Sequence, residues 1–128
     1  MGTRSLTYVY GDDGHPIVCM YRQFDGYPSG HGADLVEFLT GSKVVNGLSM
    51  DDLKSTKVFN GAGCLAAQLV AHFKQGAGGI YLYNPNAKDC GQEYEYELEV
   101  DFDTKQDANH IVTCTANFRY QSYKYLTV

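Results

Sequence analysis

Hydrophobic and polar residues alternate at strand spacing near both ends of the chain and recur at helical spacing through its middle. Thr3 to Tyr10 alternates as a strand, with Arg4, Leu6, Tyr8 and Tyr10 on one side. Gly11-Asp12-Asp13-Gly14 signals a turn, and Ile17 to Phe24 returns as a second strand to close a hairpin. In that strand Val18, Met20, Arg22 and Phe24 share one face, opposite Cys19, Tyr21 and Gln23. Arg22 thus stands among apolar neighbours near the strand's end.

The spacing then changes. Leu35 and Leu39, with Val36 and Phe38 beside them, predict a short helix over Ala33 to Thr40, stopped by Gly41. A longer helix is predicted from Gly61 to Gln75, with Leu65, Leu69 and Phe73 as its apolar row and Gly76 as its stop. Ala62, Ala66 and Val70 flank that row, and Gln68 and His72 form a polar stripe on the other side. Between the helices, Ser49 and Asp52 resemble a capping box for one or two helical turns over Met50 to Lys54. The rest of Ser42 to Asn60 reads as loop.

Strand spacing returns with Ile80 to Tyr83, followed by the turn-like Asn84-Pro85-Asn86. From Tyr94 to Phe102, Tyr94, Tyr96, Leu98, Val100 and Phe102 face one way and Glu95, Glu97, Glu99 and Asp101 the other. That pattern belongs to a strand with one wet face. Asp103 to His110 reads as a turn, and Ile111 to Tyr120 returns with Val112, Cys114, Ala116, Phe118 and Tyr120 inward. Gln121 to Val128 extends that strand or makes another. The order β-β-α-α-β-β-β lacks the βαβ alternation of a parallel sheet. The expected fold is one α+β domain over residues 1–128, a mostly antiparallel sheet with two helices on one face.

Composition narrows the function classes. A net charge of −5 disfavours general attraction to a nucleic-acid backbone, while leaving room for a local basic pocket. Cys19, Cys64, Cys90 and Cys114 are widely spaced with no C-x-x-C pair, so neither a metal site nor a cofactor is expected. No run approaches membrane-spanning length and no signal-peptide pattern is visible, so a reduced, cytoplasmic setting without a membrane partner is expected. Eleven tyrosines and an exposed C-terminal strand offer surface for a homodimer or higher homo-oligomer.

Candidate chemistry gathers in the connection Tyr21-Arg22-Gln23-Phe24-Asp25-Gly26-Tyr27-Pro28-Ser29-Gly30-His31-Gly32. A plain turn needs only Gly, Pro and Ser, whereas this one adds a cation, a carboxylate, a phenol and an imidazole. Asp25 and His31 have the chemistry of a general acid–base pair, and Arg22 that of an anion clamp. A purely structural alternative pairs Arg22 with Asp25, makes Asp25 a turn cap and sets His31 at the helix start. A second candidate is Asn60-Gly61-Ala62-Gly63, where free amides at a helix N-terminus suit an anion, or where small residues simply allow packing.

The segments Gly2-Thr3-Arg4-Ser5-Leu6-Thr7 and Tyr21-Arg22-Gln23-Phe24-Asp25-Gly26-Tyr27-Pro28-x-Gly30-His31-Gly32 resemble an uncharacterised family of small bacterial and phage proteins, over about the first third of the chain. That resemblance implies no particular activity. In size, acidity and lack of catalytic motifs the chain is also similar in type to phage proteins that sequester nucleotide signals of bacterial immunity. The expected function is anti-defence capture, without catalysis, of a small anionic, nucleotide-like ligand. Arg4 and Arg22 would meet phosphate, the amides of Gly61 and Gly63 beside Asn60 would assist, and Phe24 or Tyr27 would stack. The alternatives are a metal-independent hydrolase or lyase using His31 and Asp25, and a protein-interaction module.

Overall fold

The computed structural model describes the backbone of residues 2–102, 110–118 and 121–127, and side chains within 2–100. In chain order the elements are β1 (Ser5–Tyr10), β2 (Pro16–Arg22), one π-helical turn (Pro28–Gly32), α1 (Ala33–Leu39), β3 (Lys43–Val45), a 3-10 turn (Asp52–Lys54), β4 (Val58–Asn60), α2 (Gly61–Phe73), β5 (Ile80–Tyr83), β6 (Tyr94–Phe102), β7 (His110–Phe118) and β8 (Gln121–Thr127). Six strands form one sheet in the order β5-β2-β1-β6-β7-β8. Within this sheet every pairing is antiparallel except β1 with β6, which run parallel. This is the expected α+β fold. Most of the turn expected over Asp103 to His110 and the inward set from Val112 to Tyr120 lie outside the described side chains.

Both helices cover one face of the sheet. Val9, Met20, Ile80, Tyr96 and Leu98 from the strands meet Leu35, Phe38 and Leu39 of α1 and Leu65, Ala66 and Leu69 of α2 in a single core. Burying a Leu or Phe of this kind contributes roughly 1.5–3 kcal/mol, which makes this face the main source of stability. The boundaries shift from expectation where side chains intervene. Helix α2 ends at Phe73, two residues early, because Lys74 turns extended and its ammonium donates to the carbonyls of Gly78 and Ile80 at 3.1 and 2.8 Å.

Two expectations need correction. The segment Ser42 to Asn60 is not loop apart from a capped turn, since β3 and β4 pair as a two-stranded parallel sheet within it. Its Val44 and Phe59 are fully buried in the main core. Three-residue strands are too short to show alternation, and the paired residues, such as Lys43 and Val58, lie far apart in sequence, as a parallel pair requires. The capping box does form: the Ser49 amide donates to Asp52 Oδ2 at 3.0 Å and the Asp52 amide to Ser49 Oγ at 3.3 Å.

The acidic face of β6 is also less wet than its pattern implies. On that side of the sheet Leu6, Tyr8, Cys19 and Tyr21 form a second small core, covered by Ala87 and Cys90 from the segment after β5. Glu95 and Glu97 are half-buried there, accepting from the Gln92 amide at 2.8 Å and the Tyr10 hydroxyl at 3.2 Å. Among the described residues, no helix is long and apolar enough to cross a membrane.

Burial in that second core pushes the Cys19 thiol up to about 11, while Cys64 and Cys90 are only half-buried. Because the thiolate is the reactive form, alkylation of native protein mapped by mass spectrometry should label Cys64 and Cys90 well before Cys19. Rapid native labelling of Cys19 would contradict its placement.

Candidate functional site

The connection after β2 is a close-packed structure in its own right. Gln23 donates its amide to the Gly79 carbonyl at 2.8 Å, and Gly26 donates to the Thr3 carbonyl at 2.9 Å. Asp25 holds φ at 61°, the only non-glycine residue in the left-handed region among those described. Its carbonyl then accepts from the His31 amide at 2.8 Å. A Cβ on Gly26 would stand 2.8 Å from the Thr3 carbonyl oxygen, and one on Gly30 would stand 2.4 Å from that of Asp25. Only glycine fits either position.

This folding drives His31 into the core, where none of its surface is exposed. Its ring lies between Phe73 and Tyr96, with centroids 5.0 and 4.9 Å away. Arg22 Nη1 sits 3.0 Å from His31 Nδ1, and a guanidinium only donates, so Nδ1 is the bare acceptor. The proton therefore lies on Nε2, which donates to Thr7 Oγ1 at 2.7 Å. Burial, and then the positive charge of Arg22, pull the imidazole down to about 3, so it is neutral at physiological pH. The adjoining Tyr96 hydroxyl donates to the Gly26 carbonyl at 2.7 Å and ties the connection to the sheet.

The expected Asp25–His31 acid–base pair is not assembled. The Asp25 carboxylate accepts from the Tyr27 hydroxyl at 3.1 Å on the surface, while both ring nitrogens of His31 are engaged in the interior. The structural alternative also needs correction: the carboxylate partner of Arg22 is Asp34, at 2.8 Å, not Asp25. Asp34 stands in the first turn of α1, and the π-helical turn returns it to the end of β2, a contact that local spacing does not reveal.

The expected phosphate cradle is likewise dispersed. Ser5 pairs with Arg22 across the hairpin, so Arg22 points to the helix side and Arg4 to the other. Arg4 instead forms an ion pair with Glu93 at 3.0 Å. Asn60, Gly61 and Gly63 stand at the start of α2, whose 13 residues carry them about 18 Å from the helix end that adjoins Arg22. The Asn60 side chain there accepts from the Gly47 amide at 2.9 Å.

Around Arg22, by contrast, lies a cavity of about 410 Å³, bordered by Phe24, Asp34, Glu37, His72, Phe73 and the loop residues Gly78 and Gly79. Phe24 is 56% exposed, and the Arg22 guanidinium lies 5.9 Å from the centre of the Phe73 ring. Arg22 spends Nε on the Phe24 carbonyl at 2.7 Å and Nη1 on His31 and Asp34. Nη2 has no hydrogen-bond partner among the described residues. Two carboxylates and the C-terminal end of α2 offset its charge, so the cavity is mixed rather than basic. Tyr27 does not border it. Sequence reasoning found Arg22 and Phe24 but missed Asp34, Glu37, His72 and Phe73; the recurrence of Asp34 and Glu37 on one side of α1 was the available signal.

The chain matches no protein-family model, no curated protein and no solved structure.

The His31 environment has a pH consequence. An unfolded imidazole titrates near 6.5, whereas the folded one stays neutral down to about 3. Between those values the unfolded chain binds a proton that the folded chain does not. Stability present above pH 6.5 is therefore lost as pH falls toward 3, at up to about 1.4 kcal/mol per pH unit. Thermal denaturation from pH 7 to 4 should fall more steeply for wild type than for His31→Gln, whose amide offers a donor and an acceptor without titrating. Parallel curves would assign the acid sensitivity to other groups.

Proposed function

We propose that the protein captures a small nucleotide-like ligand without converting it, and that the ligand's planar ring enters the cavity beside Arg22. The observation that carries this reading is a strongly exposed Phe24 ring at the edge of a cavity of about 410 Å³. That volume lies within the range of small-ligand sites, and an aromatic ring left in water there gains by stacking on a flat partner. Arg22 supplies fixed donors to the ligand. Its role differs from the phosphate clamp expected of it, because Asp34 and Glu37 repel a phosphate inside the cavity. The phosphate of such a ligand instead stays at the open mouth.

Capture is favoured over turnover because His31, the candidate proton carrier, is neutral, enclosed and engaged at both nitrogens. Sequestration of a nucleotide signal, as in phage anti-defence proteins, requires binding alone. The free thiols of Cys19, Cys64 and Cys90 suit a reducing, cytoplasmic setting for it.

The test is a thermal-shift screen against mononucleotides and cyclic nucleotides, followed by denaturation and analysis of the released ligand. A stabilising ligand recovered intact is expected; a chemically altered one would instead make the protein an enzyme. Phe24→Ala should weaken binding about ten-fold or more at an unchanged melting temperature, since the ring is largely exposed. Arg22→Ala should lower both, because it leaves the buried Nδ1 of His31 unpaired at a cost of about 1–3 kcal/mol. Unchanged affinity in Phe24→Ala would reject the cavity as the binding site.

A further inference from the structure

Resting on the ring-capture reading above, we propose that the cavity selects a guanine ring. The inference comes from the hydrogen-bonding capacity that its wall has left over. Arg22 retains Nη2, a donor, after Nε and Nη1 are engaged by Phe24, His31 and Asp34. Asp34 commits Oδ2 to Arg22 and keeps Oδ1, an acceptor without a partner among the described residues. The exposed Glu37 carboxylate likewise has no partner among the described residues, the Lys57 ammonium donating to the Glu37 backbone carbonyl at 3.1 Å instead.

These three residues border the same cavity. The 2.8 Å ion pair sets Arg22 beside Asp34, and Glu37 lies one helical turn further on the same side of α1. Taken in that residue order, the unused capacities are a donor, an acceptor and an acceptor. A complementary ring edge must present an acceptor followed by two donors. Guanine does so with its 6-oxo group, its ring N–H and its 2-amino group. Adenine and cytosine each place an acceptor next to their amino group, and uracil sets its single N–H between two carbonyls. Each of these would turn an acceptor toward a carboxylate, leaving like lone pairs opposed in a partly enclosed site. The two guanine donors would make charge-assisted bonds, the stronger class. Phe24 and Phe73 border the cavity with aromatic surface for the faces of the ring.

Hypoxanthine, which lacks only the 2-amino group, is the discriminating comparison. Isothermal titration of the full chain with the 5′-monophosphates of guanosine, inosine, adenosine, cytidine and uridine, and with guanosine itself, tests the assignment. The guanosine compounds should bind at least roughly ten-fold tighter than the inosine compound, the loss expected for one charge-assisted contact. Similar affinity for guanosine with and without phosphate would place recognition in the ring, whereas a requirement for the phosphate would overturn the ring assignment. Glu37→Ala should bring the guanosine-to-inosine ratio close to one, with the melting temperature of the free protein unchanged. Equal binding of all five nucleotides would refute guanine selection while leaving ring capture intact. Binding of none would remove both.

Discussion

The neutral imidazole of His31, held between the Thr7 hydroxyl and the Arg22 guanidinium, is the interaction on which this half of the molecule depends. A fully buried polar ring is tolerated only when its nitrogens are paired, and here each has one partner of the required kind. That pairing joins β1, the end of β2 and the turn before α1, while ring contacts extend it to α2 and β6. It also orients Arg22. With Nη1 directed at His31 and Asp34, the guanidinium is held against Phe73, with its remaining edge left over at the cavity. The same group that stabilises the interior thereby furnishes the donor at the candidate site.

The segments Gly2 to Thr7 and Tyr21 to Gly32 meet in space. A Cβ on Gly2 would lie 2.2 Å from the Gln23 carbonyl oxygen, Thr3 receives the Gly26 amide, and Thr7 receives the His31 ring. Their residues are therefore largely accounted for by close packing and by the buried polar network. Asp25 serves through its backbone conformation and carbonyl, and His31 through its ring in the interior. What this unit leaves for a ligand is the boundary of the network, at Arg22 and Phe24.

The electrostatics of that boundary shape the functional reading. A phosphate cradle needs several converging donors with few carboxylates nearby. Arg4, Arg22 and the amides at the start of α2 instead occupy three separate places, with Arg4 paired to Glu93 and Arg22 engaged by His31 and Asp34. The cavity beside Arg22 combines aromatic surface with an arginine donor and two carboxylates, which suits the edge and faces of a heterocycle better than a phosphate. Phe24 is suited to test this because its removal disturbs little of the packing on which folding depends.

Much of the fold was legible from local pattern. The period-two alternation of β1, β2 and β6, the apolar rows of α1 and α2, and the Ser49–Asp52 cap each depend on neighbouring residues, so sequence by itself determined them. It also indicated that Arg22 and Phe24 belong to an unusual connection. The three-residue strands β3 and β4 were invisible because so short a segment has no period, and their pairing is non-local. Sequence could not decide which carboxylate Arg22 would meet, or on which side of the sheet Arg4 would lie relative to it. Those outcomes rest on hairpin register and on the fold-back of the Asp25–Gly32 turn. A shift of one residue in register would exchange the two faces of the strand. Tertiary structure alone made His31 an enclosed, neutral ring rather than an exposed base, because burial and a neighbouring cation set its protonation, and neither is written in its local spacing.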